Sequence, residues 1–386
     1  EMNNFAKIFF ITSTIITIIF FSWEIFLMPN VSLKAKSNDQ NIHTNKGVDN
    51  VKYILLYEFP KWMTTVRLVP MERKCVVTTD RNYFGDISQF DALLFSGQSQ
   101  WKTNFPVKRS PHQFYIFTNL ECPLMSYHKF SMDPQKEIYN LTMTYRRDSD
   151  IYWPYGFITN DNIKYQSEAI DVKWIEPIFE ENTDPMTIEI IEKKNKTAAW
   201  FVSNCNAHSK RSQLADVMQK VIDVDIYGKC GPFNCPRSKT GECYEHLEEN
   251  YFFYLSFENS LCHDYITEKV FNIMRYNVVP VVYGGANYSQ HLPPHSYINT
   301  NDFQTATELA NYLKFLQDNP KEYVKYFWWK NYYKTIVSGK VYNNLCNKLH
   351  DYTSSSGNRE QIKSYKNIKI WWKKDQCTNK HKIQFV

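Results

Sequence analysis

The chain has 386 residues, of which 43% are hydrophobic, 16% aromatic and 22% charged, and 45 basic against 40 acidic side chains give a formal net charge of +5. This apolar content excludes an intrinsically disordered chain, and 11 glycines and 16 prolines are too few for a collagen or a low-complexity scaffold. The basic residues are spread along the sequence, so no block of positive charge indicates binding to nucleic acid.

The first elements in chain order are an apolar stretch and a polar segment. Residues 8–23 hold no charged side chain, and counting on to residue 28 gives roughly the 20 residues that span a bilayer. A cleaved signal peptide is the alternative, but its apolar core has about 7 to 15 residues and a small-x-small site should follow. We expect residues 1–28 to be a cytosolic stub with a transmembrane signal anchor, and residues 29–50 to be a stem.

Asparagine sequons and cysteines fit a chain that lies beyond the membrane. Sequons for N-glycosylation occur at Asn30, Asn140, Asn195 and Asn287. Nine cysteines agree with an oxidising compartment, in which one of them stays free or pairs outside the chain.

A cluster of three cysteines raises the choice between zinc and disulfides. Cys230, Cys235 and Cys243 do not have a standard zinc spacing and no histidine lies among them, which favours disulfides. Cys346 and Cys377 bracket a hydrophilic C-terminal region, and we expect them to pair with each other.

Short β-branched and aromatic runs alternate with helical patterns after the stem. This alternation predicts parallel sheets with crossover helices and a doubly wound α/β fold. The predicted strands are residues 51–57, 75–79, 92–95, 113–117, 198–202, 224–227, 252–257 and 278–283, and the predicted helices are residues 210–221 and 266–276.

The length and a break in the pattern predict two domains. Residues 180–196 change from acidic to basic and show no obvious core, so we place the boundary there. The expected units are residues 51–195, residues 196–335 and a C-terminal extension of residues 336–386. Two such α/β domains leave a cleft at the carboxyl ends of their strands, where ligands bind.

The segment 257–269 carries the most specific candidate residues. A strand ends near its start, and Asp264 is a candidate N-cap for the next helix. Tyr265, Glu268 and Lys269 lie on one polar stripe of that helix. A helix N-terminus with a lysine suits a phosphate, and Glu268 can accept hydrogen bonds from ribose or sugar hydroxyls. A solvated helix face is the alternative interpretation.

Two further segments bring polar residues to the ends of predicted strands. Arg211 begins the helix after strand 198–202, where its guanidinium could hold a diphosphate. Glu121 follows strand 113–117, with Pro123 forcing a turn, and is suited to act as a general base. Each is also compatible with an ordinary surface position.

Other motifs are weak or missing from the sequence. Asp148 with Asp150, and Asp223 with Asp225, form Asp-x-Asp pairs of the kind that holds a divalent cation, but two pairs among 40 acidic residues is near chance. The sequence has no Gly-x-Gly-x-x-Gly, no Walker loop and no Gly-x-Ser-x-Gly, which argues against the dehydrogenases, nucleoside triphosphatases and serine hydrolases that use them.

Taken together, these residues resemble the α1,3-fucosyltransferases of glycosyltransferase family 10 over roughly residues 51–333. Residues 225–231 and 291–299 are most similar to invertebrate members. The segments that carry the resemblance are Phe-Glu-Asn-Ser at 257–260, Asp-Tyr-Ile-Thr-Glu-Lys at 264–269, Val-Pro-Val-Val at 279–282, Ser-Tyr-Ile at 296–298 with Asp-Phe at 302–303, Tyr-Arg-Arg-Asp-Ser-Asp at 145–150, Pro-Tyr-Gly at 154–156 and Phe-Val-Ser-Asn at 201–204.

The resemblance implies the fold, the reaction and the location. It implies two Rossmann-like domains in the GT-B arrangement and a single-pass type II enzyme of the Golgi membrane with its catalytic part in the lumen. It also implies inverting α1,3 transfer of L-fucose from GDP-fucose to GlcNAc of glycoprotein glycans, at the N-glycan core or the antennae. An inactive, membrane-tethered glycan-binding protein on the same fold is the alternative.

The resemblance also implies roles for individual residues. Glu121 is the expected base, in a segment where most relatives have Ser in place of Cys122. The expected donor-binding residues are Arg211, Asn259, Tyr265, Glu268 and Lys269, with Arg211 and Lys269 on the diphosphate. Arg147, Asp148 and Asp150 are expected on the acceptor side. No metal is required by such a fold, so Mn²⁺ is expected at most to stimulate.

Overall fold

The computed structural model describes residues 50–59, 73–97, 105–126, 137–160, 173–179, 185–337, 341–354 and 364–386. The predicted signal anchor, nearly all of the stem and the sequon at Asn30 lie outside these residues. Within them, no helix has the length and apolar character needed to cross a membrane.

The described elements alternate between strands and helices. The strands are β1 Lys52–Glu58, β2 Cys75–Thr78, β3 Ala92–Ser96, β4 Phe114–Asn119, β5 Leu141–Thr144, β6 Ile151–Tyr152, β7 Gly156–Thr159, β8 Lys196–Phe201, β9 Val224–Tyr227, β10 Tyr251–Phe257, β11 Leu261–Cys262, β12 Val279–Tyr283, β13 Ile298–Asn299, β14 Lys334–Val337 and β15 Cys377–Thr378. The α-helices are α1 Pro185–Lys193, α2 Arg211–Met218, α3 Thr240–Asn250, α4 Glu268–Ile273, α5 Ala306–Asp318, α6 Pro320–Val324, α7 Val341–Ser354 and α8 Ile368–Lys373.

The first sheet has six parallel strands in the order β2-β1-β3-β4-β5-β6. β3 and β4 are buried along their whole length, as continuous apolar runs inside a parallel sheet require. The four strands predicted for this half of the chain are confirmed as β1 to β4. β5 and β6 were not predicted, because β5 alternates Thr with apolar residues and β6 has two residues.

The second sheet has five parallel strands in the order β13-β12-β10-β8-β9. Its central strand β10 is completely buried. The four predicted strands of this half are confirmed. The predicted parallel α/β class is therefore confirmed for both halves of the chain.

The segment expected to be a coreless boundary instead contains helix α1. Ile191 of this helix is buried and packs into the core of the second sheet with Ala198. The helix was not predicted because its apolar residues include the exposed Met186 and Ile188, so they do not form a single buried stripe. The domain limits themselves stay a prediction.

The C-terminal region returns to both sheets. Leu345 and Leu349 of α7 pack against Ile54 and Leu94 of the first sheet. β15 pairs with β11, which follows the second sheet's central strand, and the backbone of Gln384 accepts a hydrogen bond from Ala306 at the start of α5. The described residues of the segment 336–386 therefore contact both halves of the chain.

The described cysteines form four disulfides, and the pairing predicted between Cys346 and Cys377 is wrong. Cys346 lies on α7, which packs against the first sheet, and pairs with Cys75 of β2. Cys377 lies on β15 and pairs with Cys262 of the neighbouring strand β11. The pairs are Cys75–Cys346, Cys205–Cys230, Cys235–Cys243 and Cys262–Cys377. The preference for disulfides over zinc at Cys230, Cys235 and Cys243 is confirmed, and Cys122 is the free, buried cysteine.

Replacing Trp372 with Ala should destabilise the fold by about 3 to 5 kcal/mol, because a large buried ring is lost. Trp372 is 0% exposed, contacts Phe117 and Tyr145, and donates from Nε1 to Ser126 Oγ at 3.0 Å. Ile370→Ala on the same helix is the control, since Ile370 is 55% exposed, and should change stability by less than about 0.5 kcal/mol. Urea unfolding followed by circular dichroism measures the stability of both variants. Equal losses of stability would show that the buried Trp372 ring contributes no more than the exposed Ile370.

Candidate active site

Glu121 lies just beyond the carboxyl end of β4, as predicted. Its backbone N–H donates to Asn119 Oδ1 at 3.0 Å, while Asn119 Nδ2 donates to Ser126 Oγ at 2.7 Å. Asn119 is completely buried, so this side chain fixes the turn that presents Glu121.

Tyr265 joins Glu121 to the other half of the chain. The Tyr265 hydroxyl donates to Glu121 Oε2 at 3.0 Å. Its ring is buried in the same core cluster as Phe117 of the first sheet, with centroids 5.1 Å from Tyr145 and 6.4 Å from Tyr155. A residue that follows the second sheet's central strand thus reaches into the core of the first sheet.

The turn before Tyr265 differs from the predicted helix start. The N-cap of α4 is Thr267, not Asp264, and α4 begins at Glu268. Asp264 instead has φ 57°, and its Oδ2 accepts a hydrogen bond of 3.0 Å from the backbone N–H of Arg147. The carboxylate therefore ties the two halves together, and Tyr265 precedes the helix that we expected to carry it.

Glu258 and Lys269 form a buried ion pair at the end of β10. Lys269 Nζ lies 3.0 Å from Glu258 Oε2, and the Thr267 N–H donates to Glu258 Oε1 at 2.8 Å. Burial raises the pKa of the Glu258 carboxyl. Burial alone would lower the pKa of the Lys269 ammonium, but Glu258 and Glu268 outweigh it and raise that pKa, so Lys269 stays charged.

Glu258 was not among the predicted site residues. A signal was available, because a carboxylate that directly continues a mostly apolar strand is expected to be buried, and a buried carboxylate needs a cation or several hydrogen-bond donors. Glu268 lies on the open side of the same pair, with 48% of its side chain exposed and Oε1 3.4 Å from Lys269 Nζ.

Arg211 is buried rather than offered to solvent. Its Nη1 donates to the Phe257 carbonyl at 2.6 Å and its Nη2 to the Asn204 carbonyl at 3.2 Å. Burial lowers the pKa of the guanidinium. Arg211, the first residue of α2, thus links the carboxyl end of β10 to the loop after β8.

Buried polar atoms without a hydrogen-bond partner lie on Arg211 and near the end of β10. Arg211 Nε and Asn259 Oδ1 are buried and have no hydrogen-bond partner among the described residues. Buried polar atoms in folded proteins are nearly always paired. Their concentration beside the Glu258–Lys269 pair is what a ligand site requires.

The residues expected on the acceptor side have different surroundings. The Arg147 guanidinium contacts Gln290 Oε1 across the two halves. Asp148 is paired with Arg146, whose Nε donates to Oδ1 at 2.9 Å. Asp150 Oδ2 accepts from the backbone of Thr142 at 2.8 Å and so links β5 to the turn before β6. An acceptor role for Arg147, Asp148 and Asp150 stays a prediction.

One predicted glycosylation site needs correction. Asn140 is 5% exposed, and its Oδ1 accepts a 2.9 Å hydrogen bond from the backbone N–H of Tyr115. A glycan is attached at Nδ2, which donates to Ser364 Oγ at 3.4 Å inside the fold, so the buried amide leaves no room for a sugar while these contacts are made. Asn195 and Asn287 are exposed and stay predicted sites.

A cavity of about 590 Å³ lies elsewhere, beside the edge strand β13. Its lining includes Trp174, His295, Tyr297 and Asp302 but no Lys or Arg among the described residues. A diphosphate needs cationic donors. The polar cluster at the ends of β4 and β10, not this cavity, is therefore the candidate active site.

Replacing Glu258 with Gln should destabilise the protein by about 3 to 5 kcal/mol, because Lys269 loses its buried partner. The same change at Glu268, which is 48% exposed, should cost less than about 1 kcal/mol. Urea unfolding of the two variants at one pH measures the difference. Equal small losses would show that Glu258 is not the partner that stabilises the buried Lys269.

Two family models match the chain. "Glycosyltransferase family 10 (fucosyltransferase) C-term" matches residues 191–371, and "Fucosyltransferase, N-terminal" matches residues 49–156. The first contains Arg211, Glu258 and Lys269, and the second contains Glu121.

The chain is also similar to individual proteins. It is 42% identical over 304 residues to "Alpha-(1,3)-fucosyltransferase C" of Drosophila melanogaster, covering 78% of this chain and 69% of that protein. It is 34% identical over 342 residues to "Glycoprotein 3-alpha-L-fucosyltransferase A" of the same organism, covering 86% and 62%. A crystal structure of an α1,3-fucosyltransferase with GDP-fucose superposes with a TM-score of 0.48 at 14% identity, covering 83% of this chain and 95% of that one.

Proposed function

The chain belongs to glycosyltransferase family 10, the fucosyltransferases, and from this premise we propose that it transfers L-fucose from GDP-fucose in α1,3 linkage to GlcNAc of a glycoprotein glycan. The observation that carries the proposal is the hydrogen bond between Tyr265 and Glu121. It brings a carboxylate from the first sheet to the segment that holds Lys269, four residues further along. The transfer needs a carboxylate to take the acceptor proton and a cation to bind the diphosphate, and Glu121 and Lys269 supply these two groups.

The donor diphosphate binds on the side of the second sheet. The Lys269 side chain is 16% exposed, and its raised pKa keeps its ammonium charged at neutral pH. Arg211 Nε and Asn259 Oδ1, both without protein partners among the described residues, are further contacts for GDP-fucose. Glu268, on the open side of Lys269, accepts hydrogen bonds from ribose hydroxyls.

The transfer is a single displacement. The acceptor hydroxyl attacks the anomeric carbon of fucose from the face opposite GDP, and Glu121 takes its proton as the new C–O bond forms. The bond from fucose to the phosphate oxygen breaks, and GDP leaves with an added negative charge. Lys269 and Arg211 stabilise that charge more strongly in the transition state than in the ground state.

The arrangement and location of the enzyme follow the same proposal. The two parallel sheets correspond to the Rossmann-like domains of a GT-B fold, with limits at residues 51–195 and 196–335 and an extension at 336–386. The protein is a type II Golgi membrane enzyme with its catalytic part in the lumen. Four disulfides and the exposed sequons at Asn195 and Asn287 support an oxidising compartment.

A panel of defined glycans identifies the acceptor. Free GDP should be released from GDP-fucose in the presence of an N-glycan with core GlcNAc or of an antennal N-acetyllactosamine, and linkage analysis of the product should show α1,3-fucose. Glycan binding without GDP release from any acceptor would favour the inactive glycan-binding protein instead.

Replacing Glu121 with Gln should reduce transfer by about a hundredfold or more, because the acceptor proton has no base to accept it. Affinity for GDP, measured by calorimetry, should stay near that of the wild type. Lys269→Ala is the contrast: it should weaken GDP binding and slow transfer by about a hundred- to thousandfold.

The two variants separate the roles of the two sheets. Retained turnover in Glu121→Gln would dismiss Glu121 as the base. Unchanged GDP affinity in Lys269→Ala would dismiss the lysine as a diphosphate contact.

Activity should persist in excess EDTA, because side-chain cations supply the charge that a metal would otherwise bring to the diphosphate. Added Mn²⁺ should raise the rate by no more than a few-fold by general screening of the diphosphate. A metal-titrated GDP-release assay measures both. Complete loss in EDTA with recovery in Mn²⁺ would return Asp148 and Asp150 to consideration as metal ligands.

A further inference from the structure

We infer that Tyr265 is a positioning residue for the base: its hydroxyl holds Glu121 in the orientation from which the carboxylate takes the acceptor proton. This inference rests on the proposed function, because it gives Tyr265 a role that acts through Glu121. It goes beyond the expected role of Tyr265 in lining the donor site.

The hydroxyl of Tyr265 is held firmly in place. Its ring is buried against Tyr145 and Tyr155, and the Tyr155 hydroxyl in turn donates to the Leu120 carbonyl at 2.5 Å. The Tyr265 N–H donates to the Cys262 carbonyl at 3.2 Å, and Cys262 is fixed by its disulfide to Cys377. A donor with so little freedom can orient a carboxylate that would otherwise rotate about its side-chain bonds.

The hydrogen bond from Tyr265 gives the two carboxylate oxygens of Glu121 different roles. Tyr265 occupies Oε2 at 3.0 Å, and this leaves Oε1 as the oxygen that takes the proton. As the acceptor oxygen forms its bond to the anomeric carbon, its proton moves to Oε1, and the electron pair of the breaking bond leaves with GDP. Oε2 keeps its hydrogen bond to Tyr265 throughout.

The same contact couples the base to the donor. Tyr265 lies in the chain segment that also contains Lys269, and the neighbouring Asp264 binds the backbone of Arg147 on the other side. Movement of one sheet relative to the other would therefore pull Tyr265 away from Glu121. The orientation of Glu121 therefore depends on how the two halves of the chain pack against each other.

The test replaces Tyr265 with Phe, which keeps the ring and removes the hydroxyl. With GDP-fucose and the glycan that the wild type fucosylates fastest, kcat should fall by about ten- to hundredfold, the value of a hydrogen bond to a charged group. KM for GDP-fucose and the calorimetric Kd for GDP should change by less than about twofold. Tyr265→Phe in a Glu121→Gln background should add no further loss in single-turnover measurements.

Tyr145→Phe is the matched control. Its hydroxyl is buried in the same cluster but has no hydrogen-bond partner among the described residues, so its removal should leave kcat near wild type.

The outcomes separate this inference from the proposed function. An unchanged kcat in Tyr265→Phe, or a rise in the Kd for GDP that accounts for the whole loss, would overturn the positioning role while leaving Glu121 as base. Losses that multiply in the double variant would also overturn it. Full activity of Glu121→Gln would instead remove the proposed mechanism itself.

Discussion

The insertion of the Tyr265 ring into the core of the first sheet is the contact on which the site depends. Parallel sheets bring the loops after their strands to one edge, but they do not fix how two sheets face each other. Here that relation is set by the buried Tyr265 ring, by the Tyr265 hydroxyl that donates to Glu121, and by the Asp264 carboxylate that accepts from the Arg147 backbone N–H. Because the ring is buried and the hydroxyl is hydrogen-bonded, the sheets cannot shift without losing both apolar contact and a polar partner.

Charge is balanced at the same edge. The negative charge of the buried Glu258 is balanced by the Lys269 ammonium, and the Thr267 hydroxyl donates a hydrogen bond to the same carboxylate. Such a pair costs desolvation energy, and its presence is better explained by what it fixes than by net stability. It holds a charged ammonium near the end of β10, with 16% of the Lys269 side chain exposed. Arg211, at the start of α2, is held by two backbone carbonyls and is buried.

Much of the architecture could be predicted, since eight strands appear as apolar runs in the sequence. The positions of Glu121, Arg211 and Lys269 after the ends of strands follow from those runs. The turn before α4 could not be predicted. Aspartate is a common helix N-cap, but the Asp264 carboxylate accepts its hydrogen bond from the backbone N–H of Arg147, which is distant in sequence. The burial of Arg211 and Glu258 depends on packing between loops, which periodicity does not report. The disulfide partners of Cys346 and Cys377 depend on the path of the C-terminal chain across both sheets. The sequon at Asn140 shows the same limit, since the motif is local and the burial is not.

The return of the C-terminal chain has a consequence for biosynthesis. Trp372 and Cys377, which support the segments that carry Glu121 and Tyr265, are synthesised after both of those segments. The central strands of both sheets are also synthesised before Trp372 and Cys377. In the nascent chain, the edge that carries Glu121 and Tyr265 therefore stays incomplete until Trp372 has packed and the Cys262–Cys377 disulfide has formed.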